Sequence, residues 1–254
     1  MAKPKKVARP PLLALRQVSR RYGGRMALQP MDLNISPGEC VALVGHNGSG
    51  KSTLLRLAAG RDTPTSGTVK LDGEPVDEND PRVRARLAVV GDVSACYPDL
   101  TVREHLALVA VAHGVDEPLT WVDRALADRG LAEHAEALPD SLSSGQLQSL
   151  LLAAALVRPR DLLILDEPEQ RLDPGARQRL ADLLKAELAD GVAVLLATHH
   201  PDLAFTVADR VVLLEDGAVL AQGAPQAVLP TAFPGSAAPA GAAPSGKPAS
   251  GSNR

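Results

Sequence analysis

Aromatic side chains are nearly absent: the chain of 254 residues has two Phe, two Tyr and one Trp. A core without rings must be built from Leu, Val and Ala, and hydrophobic residues, at 45%, are numerous enough to build a sizeable one. Cysteine is equally scarce. Cys40 and Cys96 have neither metal-ligand nor redox spacing. That excludes a disulfide scaffold and a zinc module, and it fits a reducing, cytosolic compartment. Cys40 sits beside an apolar run and reads as a small buried hydrophobe. No apolar run approaches the ~18 residues of a membrane span. The longest, Leu150 to Val157, stops at Arg158-Pro159-Arg160. The net charge of -3 gives no general attraction to nucleic acid. Residues 1–11 read as a disordered basic leader, because Lys3, Lys5, Lys6 and Arg9 have no apolar segment behind them, as a secretory signal would. Residues 231–254 are Ala, Pro, Gly and Ser in the main, a composition expected to stay disordered.

Against these absences stands one dense motif. Gly45-His46-Asn47-Gly48-Ser49-Gly50-Lys51-Ser52-Thr53 contains a complete G-x-x-x-x-G-K-[ST] phosphate-binding loop. Glycines at 45, 48 and 50 permit a tight turn and a close approach to a polyphosphate. Loop amides and the start of the next helix point N–H groups at the anion. Lys51 supplies an ammonium for the β- and γ-phosphates, and the Ser52 hydroxyl suits Mg²⁺. The flanks agree with the motif. Val41 to Val44 is a short buried strand, and Thr53 to Ala59 is a helix closed at Gly60.

The rest of the pattern alternates. Leu12 to Ile35 reads as short strands joined by turns, with Asp72-Gly73 and Asp216-Gly217 as hairpin turns. Thr101 to His113 and Trp121 to Leu131 have helical spacing, with Thr101 and Thr120 as N-caps. Gln146 to Val157 is an apolar helix and Ala176 to Leu188 an amphipathic one. Leu162 to Leu165 and Val192 to Ala197 are continuous apolar runs, the mark of strands buried on both faces. The fold class is α/β: a P-loop core with a mostly parallel sheet, an N-terminal antiparallel β-subdomain and a helical insert at about 93–140, together spanning 12–230.

A second motif, Leu162-Leu163-Ile164-Leu165-Asp166-Glu167-Pro168, ends a strand in two carboxylates, at the sheet edge where open α/β folds bind ligands. One carboxylate can serve a metal shell and the next can orient and deprotonate a water. Between the two motifs, Leu142-Ser143-Ser144-Gly145-Gln146 starts an apolar helix and offers further free N–H groups.

In this order the motifs resemble the ATP-binding subunit of ATP-binding cassette (ABC) transporters, bacterial and exporter-like, over about residues 12–225. The resemblance implies that Tyr22 stacks on adenine and that Gly45 to Thr53 hold the phosphates. Ser143, Ser144, Gly145 and Gln146 look like the family signature, which acts in trans on the nucleotide of a second subunit. Ser144 stands where glycine is more usual. Asp166 matches the metal carboxylate and Glu167 the catalytic base. Leu172-Asp173 resembles the loop that crosses the dimer, and His199 matches the histidine at the γ-phosphate, with Lys51 completing the catalytic set. Two departures stand out. Asp92 occupies the position of a glutamine, so its metal contact is an expectation of altered chemistry. Glu169-Gln170-Arg171 replaces small residues, with Arg171 near the dimer interface.

The implied function is ATP hydrolysis, with ATP and Mg²⁺ as cofactors, coupled to transport through a separate membrane permease. The partners are that permease and a second ATP-binding subunit, and the location is the cytoplasmic membrane face. No nucleic-acid partner is expected. A non-transport cassette ATPase acting on ribosomes or DNA is the alternative; the chain has one cassette, no sustained heptads and no Cys-rich module. A degenerate regulatory nucleotide binder would rest on Asp92 alone.

Overall fold

The computed structural model describes residues 10–91, 96–170 and 172–234. Residues 1–9 of the basic leader, residues 92–95 with Asp92, Arg171 and the segment from residue 235 onward lie outside them.

The first two strands, β1 (Leu13–Tyr22) and β2 (Arg25–Ile35), form one long antiparallel hairpin. The expectation of several short strands is corrected here. A register shift after Leu15 bends the pair without breaking it, and the Gln17 backbone and amide both bond the Asp32 carboxylate, at 2.8 and 2.6 Å. Next come β3 (Cys40–Val44), α1 (Lys51–Ala58), β4 (Ser66–Leu71), β5 (Glu74–Pro75), α2 (Pro81–Arg86) and β6 (Leu87–Val90). The insert contributes α3 (Val102–Ala112) and α4 (Pro118–Asp128). Then follow α5 (Ser144–Leu156), β7 (Leu162–Asp166), α6 (Pro174–Ala189), β8 (Ala193–Ala197), α7 (Pro201–Val207), β9 (Arg210–Glu215), β10 (Ala218–Gly223) and α8 (Pro225–Ala232).

Thr101 caps α3 in a reciprocal capping box with Glu104. Thr120 is not a cap. Helix α4 begins at Pro118, whose fixed φ and missing N–H suit the first helical turn, so Glu117 precedes the helix and Thr120 lies inside it. The Asp72-Gly73 and Asp216-Gly217 turns both have positive φ at both residues, 51° and 85°, then 47° and 79°, as two-residue hairpins require.

Two sheets result. One is antiparallel, in the order β2-β1-β4-β5; the other runs β10-β9-β3-β8-β7-β6. In the second, β9, β3, β8, β7 and β6 are mutually parallel and β10 alone is antiparallel. The central strands β3 and β8 are buried at every residue, which is why their sequences read as unbroken apolar runs. One face of this sheet packs with α1 on the antiparallel sheet through Leu13, Ile35, Leu54, Ile164 and Leu195. The other face carries α5, α6 and α7 through Leu152, Leu180, Leu184 and Leu203. The insert has its own apolar centre, where Leu106, Leu126, Leu131 and Leu150 meet. The parallel order matters for function because it sets the carboxyl ends of β3, β7 and β8 side by side.

Candidate nucleotide site

The phosphate loop joins β3 to α1 and wraps around its own lysine. Lys51 is buried, and its Nζ donates to the carbonyls of Gly45 at 2.8 Å and His46 at 3.1 Å. An ammonium has three protons, so one donor remains for an anion. Burial pulls its pKa below the ordinary lysine value, while the nearby Glu167 and Asp166 carboxylates oppose that pull. Two of the glycines serve the protein's own packing. A Cβ on Gly45 would lie 2.2 Å from the Leu214 carbonyl, and one on Gly50 would lie 2.8 Å from the Ala27 carbonyl. Gly48 is different: a Cβ there would meet only an Arg25 nitrogen, at 3.9 Å.

Beside the loop is a cavity of ≈ 540 Å³ lined by Tyr22, Arg25, Asn47, Lys51, Ser52 and Glu167, among others. Tyr22 is half-exposed and held in place at both ends. The Arg20 guanidinium lies 4.5 Å from its ring centre, and its hydroxyl donates to Asp62, which also pairs with Arg20 at 2.6 Å. Sequence reasoning missed Arg25 and Ala27. Both are brought to the cavity by the β1–β2 hairpin, which no local motif signals.

Glu167 sits at the first turn after β7 with φ of 49°, a left-handed conformation unusual for a residue with a side chain. Its amide bonds the Ala197 carbonyl at 2.9 Å, which ties the turn to the end of β8. One carboxylate oxygen accepts from the Gln170 amide. The other lies 2.6 Å from Nε2 of His199, off the line of a hydrogen bond. Asp166 is half-buried at the end of β7, behind Gly91.

The structure thus brings Lys51, Ser52, Asp166, Glu167 and His199 to one edge of the parallel sheet, with Tyr22 across the cavity. It does not bring the signature there: none of Ser143, Ser144, Gly145 and Gln146 lines this cavity. They start α5 instead. Ser143 accepts from the Gln146 amide at 3.3 Å, and Gln146 accepts from the Ser143 amide at 2.8 Å. The N–H groups of Ser144 and Gly145 are among the first-turn donors that a helix leaves without an internal partner. His200, the neighbour of His199, faces Arg177, with 3.1 Å between ring and guanidinium nitrogens.

A family model described as "ABC transporter" matches residues 28–170. The chain belongs to the ABC transporter family. It is 37% identical over 215 residues to the Nod factor export ATP-binding protein I of Paraburkholderia xenovorans, covering 84% of this chain and 71% of that one. The protein of the same name from Cupriavidus metallidurans is 35% identical over 220 residues, covering 86% and 73%. Among solved structures, an ATP-binding subunit of an ABC transporter superposes with a TM-score of 0.79 at 30% identity, covering 84% of this chain and 90% of that one. A dimeric ATP-binding cassette in a post-hydrolysis state with ADP and Pi gives 0.76 at 28% identity, covering 84% and 98%. This ABC subunit is an ATPase of the transporter class.

Proposed function

We propose that this ABC ATPase energises an exporter by closing on ATP as a two-cassette dimer, and that Glu167 is the base that activates the attacking water. The contact between Glu167 and His199, 2.6 Å apart at the rim of the Lys51 cavity, carries the reading. A carboxylate poised beside a histidine and a lysine has a proton acceptor and two cationic or hydrogen-bonding groups where the γ-phosphate would lie. Lys51 would steady the β- and γ-phosphates with its remaining donor, and His199 would orient the terminal phosphate. Tyr22 would stack on the adenine. The Ser52 hydroxyl and the Asp166 carboxylate are hard oxygen donors, fit magnesium and would hold it; the ion would supply positive charge to neutralise the phosphates. The amides of Ser144 and Gly145 lie away from the cavity of their own chain, which supports their use on the nucleotide of a partner cassette.

The relatives named for Nod factor export support the outward direction, and a subunit that drives a permease would work at the cytoplasmic membrane face. Among the described residues no helix is long and apolar enough to cross a membrane, so the translocation path is assigned to a permease. Its docking surface is assigned to a second cavity of ≈ 320 Å³ between the ATPase core and the insert. Arg61, Arg84, Arg158 and Glu78 line it. Burial, with Arg160 and Arg61 nearby, pushes Arg158 down to about 10. A cationic surplus around an apolar floor suits an acidic permease segment. Charge reversal by Arg84→Glu should weaken retention on the detergent-solubilised permease; undiminished retention would remove the surface from consideration.

Glu167→Gln tests the catalytic reading. It keeps shape and loses the base, so turnover should fall about 10²-fold or more while ATP binding persists and a nucleotide-bound dimer accumulates. Wild-type turnover by this variant would sink the assignment.

A further inference from the structure

We propose that Glu169 is a positioning residue for the hydrolytic step: its buried carboxylate clamps the end of β8 so that His199 faces Glu167. This rests on the catalytic reading above and adds a residue to it.

Glu169 is a charged residue at 2% exposure, in the turn between the β7 carboxylates and α6. A carboxylate is almost never buried so completely without a task for its oxygens. One oxygen, Oε1, accepts from the Thr198 hydroxyl and from the His199 amide, the latter at 3.3 Å. Thr198 is fully buried, and its own amide bonds the Leu43 carbonyl on β3 at 3.1 Å. Its hydroxyl also accepts from the His200 amide at 3.0 Å. A single carboxylate oxygen therefore joins the turn that carries Glu167 to the residues that carry His199, and the Thr198 backbone ties those in turn to the strand that feeds the phosphate loop. The turn is braced in sequence too, because the Gln170 amide bonds the Glu167 carbonyl at 3.1 Å and the Leu172 amide bonds the Glu169 carbonyl at 3.2 Å.

The other oxygen, Oε2, is buried without a hydrogen-bond partner. Leaving it so carries a desolvation cost, which the protein bears to keep the first oxygen in place. Burial pushes the Glu169 carboxyl above its usual range, against the lowering effect of the Thr198 hydroxyl and of His200. Glutamine keeps the length and the acceptor oxygen that Thr198 and His199 use and is a close replacement, and a shorter side chain is not. A small residue at 169 could not span to Thr198, so the β8 end would be held by backbone bonds alone.

The test uses the full chain, with turnover and ATP affinity measured separately. Glu169→Ala should lower kcat about tenfold, the scale of one hydrogen bond to a charged group, while leaving ATP affinity near wild type. Glu169→Gln keeps the acceptor oxygen and should recover most of the loss. Thr198→Val removes the hydroxyl at similar volume and should lower kcat by a similar factor. The double variant Glu169→Ala with Thr198→Val should be no worse than the poorer single one, since both break the same clamp. An unchanged kcat in Glu169→Ala overturns the proposal. So does an equal loss in Glu169→Ala and Glu169→Gln, because the amide retains the clamp. If Glu169→Ala does not fold, Thr198→Val decides alone, and wild-type kcat there overturns it. Wild type and Glu167→Gln run alongside keep the two readings apart. Normal turnover in Glu167→Gln removes the catalytic reading, whereas normal turnover in Glu169→Ala beside a dead Glu167→Gln removes only the clamp.

Discussion

Nε2 of His199 stands 2.6 Å from Oε1 of Glu167, across the gap between two adjacent parallel strands. The histidine approaches from the end of β8 and the carboxylate from the end of β7, where Asp166 pairs with Ala197. The φ of 49° at Glu167 is what turns its side chain toward that gap.

On the proposed reading, in which the ring would act on the terminal phosphate and not on the base or ribose, His199→Ala should lower kcat about 10²-fold while leaving KM for ATP little changed. Steady-state kinetics with the full chain check this. A rise in KM with kcat intact would place His199 in simple binding.

Gly91 and Asp166 give a second expectation. A Cβ at Gly91 would lie 2.6 Å from the Asp166 Cβ, closer than real side chains approach. Gly91→Ala should push Asp166 outward and destabilise the fold by about 1–3 kcal/mol, the range for overpacking. Thermal unfolding reads the stability, and the magnesium dependence of ATP turnover reads the carboxylate. Wild-type behaviour in both would mean that the turn relaxes freely.

The insert should be acid-sensitive. His105 is buried, with Nδ1 unpartnered and its ring 5.9 Å from that of Tyr97. Burial lowers its pKa below the ordinary value, and His113 is lowered by burial and by the Arg158 and Arg84 charges. Above the unfolded histidine pKa both states are neutral and nothing is lost. As pH falls through that value, about 6.5, the unfolded chain takes up protons first and stability declines. His105→Phe should flatten this decline in unfolding midpoints measured between neutral and mildly acidic pH. An unaltered slope would assign the sensitivity elsewhere.

Much of the site was legible in the residues. The phosphate loop, the β7 carboxylates and the Thr101 cap are local patterns, written within a few consecutive positions. Thr120 offers a cap signal two residues past the true helix start, and proline at the first turn places that start at Pro118. The β1–β2 hairpin looks like fragments in the sequence because its bulge interrupts the alternation that marks a single strand.

By itself the sequence determined the segments: which runs are buried strands, where a helix N-terminus meets glycines, and in what order the motifs stand that the ABC transporter family shares. Periodicity and turn chemistry are short-range, so they can do that much. Only the tertiary structure decided the distances: His199 against Glu167, Arg25 at the cavity, Gly45 under the Leu214 carbonyl, and Glu169 buried on Thr198. Those depend on the strand order β9-β3-β8-β7 and, for Arg25, on the β1–β2 hairpin of the other sheet. Such an order arises from the burial of whole faces against one another, and no stretch of a few residues encodes it.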